Sequence, residues 1–121
     1  MTTVLLVEDS LTETEVLTCY LRKVGMAVLS ATNCEEARIK LSQQKPDLVI
    51  VDVILPGQSG FELCRELKTH ANTSQIPVVI CSTKGTDVDK LWGAMLGADA
   101  YLPKPVDQKE LTTTVLRLTA V

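Results

Sequence analysis

The stretch that decides the fold is Leu48-Val49-Ile50-Val51-Asp52-Val53-Ile54-Leu55-Pro56-Gly57, near the middle of a chain of 121 residues. Its first four residues are apolar and mostly β-branched, which is typical of an interior strand in a parallel sheet that is covered on both faces. Asp52 interrupts the apolar run, and an unpaired carboxylate would be costly to bury in such surroundings. We therefore expect Asp52 to have a partner.

Four further apolar runs, two on each side of this segment, predict the other strands. They occupy residues 4–7, 27–29, 77–81 and 100–102, and the runs at 27–29 and 100–102 are the weaker ones. Segments with helical spacing separate the runs, at residues 16–24, 34–43, 60–68, 88–96 and 111–118. Alternating strands and helices predict an α/β fold with a mainly parallel sheet and helices on both of its faces.

Single residues support several of the helix boundaries. Asn33 and Asp107 are placed to cap the second and fifth helices, and a glutamate follows each of them three positions later. Gly25 and Gly97 are suited to end the first and fourth helices. The fourth helix has the clearest apolar pattern in the chain, formed by Val88, Leu91, Trp92, Met95 and Leu96.

Composition excludes several classes of protein. With 45% apolar and 22% charged residues, the chain is predicted to form one globular domain over residues 1–121. A net charge of −3 and 3% aromatic residues argue against nucleic-acid binding. Four cysteines without a CxxC pair, and one histidine, argue against a zinc site, and no role is predicted for the cysteines. The chain shows no signal peptide or membrane span, so we expect a cytoplasmic protein without a membrane partner.

Polar residues follow the predicted strands where each one ends. Glu8 and Asp9 follow the first strand, Asp52 lies in the third, Thr83 follows the fourth and Lys104 follows the fifth. Because the carboxyl ends of parallel strands meet at one edge of the sheet, where ligands of such folds bind, these side chains are expected to converge.

Each of these residues also has a purely structural interpretation. Asp52 could be satisfied by backbone donors, Glu8 and Asp9 could complement a helix dipole, and Lys104 could be a solvated surface lysine. Taken together, converging carboxylates instead favour Mg²⁺, which prefers oxygen ligands. Beside a hydroxyl and an ammonium, such a metal site is typical of phosphoryl transfer.

Four motifs together resemble the receiver domain of two-component response regulators. They are Val7-Glu8-Asp9-Ser10, the segment around Asp52, Ser82-Thr83-Lys84 and Tyr101-Leu102-Pro103-Lys104-Pro105. The resemblance covers the whole chain. It implies a flavodoxin-like, doubly wound parallel sheet of five strands in the order 2-1-3-4-5 with five helices.

The resemblance also implies a role for each site residue. Asp52 would be the phosphoacceptor. Mg²⁺ would be held by Asp9, Asp52 and the backbone carbonyl of Ile54, while Glu8, where many relatives have aspartate, would contribute through water.

Three further residues would respond to the phosphoryl group. Thr83 would be the switch hydroxyl, and Lys104 would pair with the phosphoryl oxygens and precede Pro105 through a cis bond. Tyr101 would be the aromatic that turns inward, although half-buried packing also explains a tyrosine on a strand.

The implied partners are proteins. The stretch from Thr83 to Tyr101 resembles twitching-motility and phototaxis regulators of the PilH type, whose phosphodonor would be a histidine kinase of the chemotaxis type. A downstream protein would bind the face formed by the fourth helix, fifth strand and fifth helix. The chain, expected to be a monomer without an output domain, would catalyse only its own phosphorylation and dephosphorylation.

Three other functions remain compatible with the motifs. A small Mg²⁺-dependent phosphatase with an aspartyl nucleophile would show multiple turnover on a phosphomonoester. A flavodoxin-like protein would bind a cofactor, although the acidic Glu8-Asp9-Ser10 loop would repel a cofactor phosphate. A pseudo-receiver would bind proteins without being phosphorylated.

Overall fold

A computed structural model describes residues 1–83 and 86–120. Its strands are β1 (Thr3–Val7), β2 (Ala27–Ala31), β3 (Leu48–Asp52), β4 (Val78–Ser82) and β5 (Ala100–Pro103). Its helices are α1 (Leu11–Lys23), α2 (Cys34–Gln43), α3 (Gly60–Thr69), α4 (Asp87–Met95) and α5 (Gln108–Thr119). Lys84 of the Ser-Thr-Lys motif and the last residue of the predicted domain lie outside the described residues.

The five strands form one parallel sheet in the order β2-β1-β3-β4-β5, which confirms the predicted doubly wound topology. The register aligns Val7 with Val51, and Asp52 with Cys81. The carboxyl ends of the three central strands therefore lie side by side. This alignment places the segments after β1 and β4 next to Asp52.

Alternate residues of each strand supply two separate cores. In β3, Val49 and Val51 pack into the core on the side of α2 and α3, whereas Leu48 and Ile50 pack into the core on the side of α1 and α5. All four side chains have no exposed surface. A strand that is buried on both faces is apolar throughout, which explains why apolar and polar residues do not alternate along this segment.

Each of the five described helices is preceded by a capping residue. Its side chain accepts a hydrogen bond from the backbone N–H group three residues later. These residues are Ser10, Asn33, Ser59, Thr86 and Asp107. Asn33 and Asp107 were predicted for this role and fill it. Such caps satisfy backbone N–H groups that have no partner within the helix.

Helix α4 differs from the usual amphipathic arrangement. Its apolar stripe faces outward, with Val88, Leu91, Trp92 and Met95 all at least half exposed. Among the described residues of α4, Gly93 is the one that is buried. A Cβ atom at Gly93 would lie 3.1 Å from the Tyr101 ring and 3.3 Å from Ile80. The glycine therefore faces the sheet, and the apolar residues that a core-facing helix would bury remain in solvent.

The cysteines are free thiols. Cys34, Cys64 and Cys81 are buried, and Cys19 is exposed. Burial raises the pKa of Cys64 to about 11 and that of Cys81 to about 12, so these thiols stay protonated.

Within residues 1–83 and 86–120, no helix is long and apolar enough to cross a membrane.

Candidate functional site

Asp52 is the last residue of β3 and is 8% exposed. Its Oδ1 atom accepts a hydrogen bond from the backbone N–H of Ile54 at 3.3 Å. Its Oδ2 atom lies 3.1 Å from Nζ of Lys104. The Asp52 carboxylate therefore has two partners, a backbone N–H group and a buried ammonium.

The backbone around Asp52 leaves no room for a side chain at the start of α3. The N–H of Gly60 donates to the carbonyl of Val53 at 2.9 Å. A Cβ atom on Gly60 would lie 2.0 Å from the carbonyl oxygen of Asp52, far inside contact distance. Glycine at this position lets α3 begin directly against the end of β3 and fixes the loop that carries Ile54.

Lys104 reaches the site from the end of β5. Its backbone N–H donates to Ser82 at 3.0 Å, and its bond to Pro105 is cis, as expected from the resemblance. The side chain is 7% exposed. Its side chain is therefore buried and is not that of a solvated surface lysine.

The Lys104 ammonium contacts three carboxylates. Nζ lies 2.5 Å from Oε1 of Glu8 and 3.1 Å from Oδ2 of Asp52, and it also donates to Oε2 of Glu13. Burial disfavours the charged lysine, but the hydrogen bonds to these carboxylates outweigh that effect and raise the Lys104 pKa above its ordinary value. Lys104 is therefore the charge that compensates the acidic site.

Glu8 is a buried acid that contacts Lys104. It is 3% exposed, and its Oε2 accepts from the backbone N–H of Ser10 at 3.1 Å. Burial, together with a hydrogen bond to Glu13, raises the pKa of Glu8 to about 7 against the opposing effect of Lys104. Glu8 therefore holds a proton more readily than an ordinary glutamate does.

Sequence reasoning did not single out Glu13. It lies in the first turn of α1, and its backbone N–H donates to the Ser10 hydroxyl at 3.3 Å. Burial favours the neutral form of Glu13, but hydrogen bonds with Glu8 and Lys104 outweigh this and lower its pKa. A glutamate three residues after a serine is the signature of a capping box, and this spacing places the carboxylate at the same edge of the sheet.

The other predicted site residues lie on β5 or in the segments that follow β1, β3 and β4. Asp9 is exposed, and Ile54 contacts Asp52 through its N–H. Thr83 is exposed and directly follows β4. The ring of Tyr101 is half-buried beside α4, its side chain is hydrogen-bonded with Ser82, and burial raises its pKa. The predicted roles of these residues stay predictions.

The acidic cluster has the chemistry of a cation site. Glu8, Glu13 and Asp52 each offer a carboxylate oxygen, and the three atoms lie within 4.8 Å of one another. Hard oxygen donors of this kind suit Mg²⁺. Asp9 is not part of this group of three, so the cluster differs from the ligand set that the sequence suggested.

The family model described as "Response regulator receiver domain" matches residues 4–116. Protein PilH of Pseudomonas aeruginosa is 44% identical to the chain over 115 residues, which cover 95% of each protein. The chain spans about half the length of three transcriptional regulatory proteins that it also matches.

Solved structures share the fold over nearly the whole chain. A response regulator from Chloroflexus aurantiacus has a TM-score of 0.94 and 35% identity, and the match covers 99% of this chain and 98% of that one. The chemotaxis protein CheY4 of Vibrio cholerae has a TM-score of 0.90 and 28% identity, with 98% of both chains covered.

Proposed function

The chain belongs to the response regulator receiver domain family, and from this premise we propose that it accepts a phosphoryl group on Asp52 from a histidine kinase. The observation that carries the proposal is the position of Asp52. Its carboxylate is buried at the carboxyl edge of the sheet, 3.1 Å from the Lys104 ammonium. A nucleophile and a positive charge that can stabilise phosphoryl oxygens are thus already in contact.

The proposed reaction is a displacement at phosphorus. A carboxylate oxygen of Asp52 forms the new bond as the bond between phosphorus and the histidine nitrogen of the kinase breaks. The imidazole leaves with the electron pair and takes up a proton. Lys104 stabilises the charge on the phosphoryl oxygens, and the Thr83 hydroxyl donates a hydrogen bond to one of them.

The proposed cofactor is Mg²⁺. Asp9, Asp52 and the carbonyl of Ile54 would hold it, with Glu8 contributing through water. When bound, the metal supplies positive charge that relieves the repulsion between carboxylates and the incoming phosphoryl group. Glu8 and Asp52 fit this requirement, because both belong to the group of carboxylates whose oxygen atoms lie within 4.8 Å of one another.

Phosphorylation is proposed to act on the face formed by α4, β5 and α5. Thr83 moves toward the phosphoryl group, and Tyr101 takes up the space behind it. The Tyr101 ring already borders Gly93 of α4, so a movement of the ring would be transmitted to that helix. The exposed apolar residues of α4 give a downstream protein a surface on which to dock.

The proposed phosphodonor, compartment and oligomeric state follow from the same family. The donor is a histidine kinase of the chemotaxis type, which fits the similarity to PilH. The protein is proposed to act in the cytoplasm as a monomer. It is not an enzyme with a separate substrate, and it catalyses only its own phosphorylation and dephosphorylation.

The test is phosphorylation by acetyl phosphate in the presence of Mg²⁺, followed by intact-protein mass spectrometry. The wild-type protein should gain the mass of one phosphoryl group, and EDTA should prevent the gain. Asp52→Asn should abolish it, because the nucleophilic oxygen is lost. Asp87→Asn, which alters an exposed aspartate of α4, is the matched control. Undiminished labelling of Asp52→Asn would show that the acceptor lies elsewhere.

A further inference from the structure

We infer that Glu13 is a positioning residue: it holds the Lys104 ammonium in the unphosphorylated protein and must release it before the ammonium can bind a phosphoryl group on Asp52. The inference rests on the proposed function, since it concerns how the same site is regulated. It is carried by the contacts of Lys104, by the exposure of its partners and by the way α1 begins.

The Lys104 ammonium has a limited number of hydrogen-bond donors. A lysine ammonium has three N–H groups and no acceptor. In this structure Nζ contacts three carboxylates, one each from Glu8, Glu13 and Asp52. All its donors are therefore in use, and a phosphoryl oxygen can be bound only when one of the carboxylates gives way.

Glu13 is the carboxylate that can give way. The side chains of Glu8 and Asp52 are 2% and 10% exposed, whereas that of Glu13 is 41% exposed. The other two carboxylates are also tied to backbone N–H groups, those of Ser10 and Ile54. Glu13 can move into water at little cost, because solvent replaces the lost hydrogen bonds. Releasing either of the others would leave a buried polar group without its partner.

Glu13 is not needed to cap α1. In a capping box, the glutamate side chain accepts from the backbone N–H of the capping residue. Here the N–H of Ser10 donates to Glu8 instead, at 3.1 Å. The Glu13 carboxylate is therefore free of the usual helix-capping contact and turns toward Lys104.

It follows that the contact between Glu13 and Lys104 competes with phosphoryl binding. Removing the Glu13 carboxylate frees one donor of the ammonium, so the protein should bind a phosphoryl mimic more tightly. Partly exposed ion pairs are weak, and the expected gain in affinity is therefore about two- to fivefold.

The experiment is an equilibrium titration with beryllofluoride at saturating Mg²⁺, followed by the fluorescence of Trp92 and by amide NMR shifts. Glu13→Gln should bind more tightly than the wild-type protein. Glu15→Gln removes the same charge from an exposed position of α1 and should match the wild type. Glu13→Ala, as a second variant, removes the acceptor altogether and should bind at least as tightly as Glu13→Gln, and urea unfolding checks that both variants are folded.

A second measurement separates positioning from a purely structural role. With ¹⁵N-labelled lysine, the ammonium signal of Lys104, assigned through Lys104→Arg, should exchange slowly with water in the wild type. It should exchange faster in Glu13→Gln and be unchanged in Glu15→Gln. If the wild type responds to beryllofluoride but Glu13→Gln has the same affinity and exchange, the role of Glu13 is wrong. If the wild type itself does not respond, the proposed function fails, and the inference fails with it.

Discussion

Among individual residues, the main feature of the site is that one ammonium compensates the charge of several carboxylates. The Lys104 ammonium faces three carboxylates, which follow β1, lie in the first turn of α1 and end β3, and the sheet brings them to one edge. Breaking a buried ion pair by removing one partner leaves the other charge uncompensated, which costs more than the pair contributes. The same carboxylates are the groups that could hold a metal ion. Lys104 and a divalent cation should therefore compete for them.

Lys104→Ala tests this competition. Without metal, we expect the variant to be less stable than the wild type by roughly 3 kcal/mol, because the carboxylates lose the ammonium that they contact. Mg²⁺ should raise the free energy of unfolding of the variant more than that of the wild type, because ligand binding to the folded state stabilises it. Urea unfolding in EDTA and in Mg²⁺ measures both effects.

The control for this experiment is Lys109→Ala, which removes an exposed lysine from the first turn of α5. Its stability and its response to Mg²⁺ should equal those of the wild type. An equal gain from Mg²⁺ in Lys104→Ala and in the wild type would contradict the competition between the ammonium and the metal.

At the scale of the element, α2 and α3 are joined by a charged contact on the far side of the sheet from α1. The guanidinium of Arg38 donates to both carboxylate oxygens of Glu66, at 2.7 and 3.0 Å, and it also contacts Gln58. The contact with Gln58 ties α2 to the loop between Asp52 and α3. Because both charged side chains are about one-third exposed, solvent weakens this ion pair.

Glu66→Gln should lower the free energy of unfolding at neutral pH by about 0.5 kcal/mol, the size expected for a screened ion pair. The hydrogen bond from Arg38 lowers the pKa of Glu66 below its ordinary value of 4.5. A lowered folded-state pKa means that the stabilisation is present above that ordinary value and is lost as pH falls through the lowered one. The difference between variant and wild type should therefore disappear in acid.

Urea unfolding across this pH range checks the sign. Glu15→Gln, a change at an exposed glutamate of α1, should show no such pH-dependent difference. A difference between Glu66→Gln and the wild type that persists or grows in acid would show that Glu66 stabilises the protein by packing and not by its charge.

At the scale of the whole molecule, the apolar runs and the caps were enough to predict the alternation of strands and helices. Residues such as Asn33 and Asp107 act within a few positions of the chain, so a local pattern reveals them. Glu13 was missed because its partner, Lys104, is distant in sequence and meets it only through the sheet. The outward direction of the α4 stripe was also hidden, since periodicity defines a face without saying what covers it.

The orientation of α4 leads to a prediction about where the fold derives its stability. Leu91 is 62% exposed, whereas Leu63 on α3 is fully buried in the core beside β3. Leu63→Ala should cost about 2–5 kcal/mol, through lost burial and the cavity that remains. Leu91→Gln should change the free energy of unfolding by no more than about 0.5 kcal/mol, because the side chain is already in water. Urea unfolding of both variants measures the contrast, and an equal loss in both would mean that the α4 stripe is covered within the folded chain.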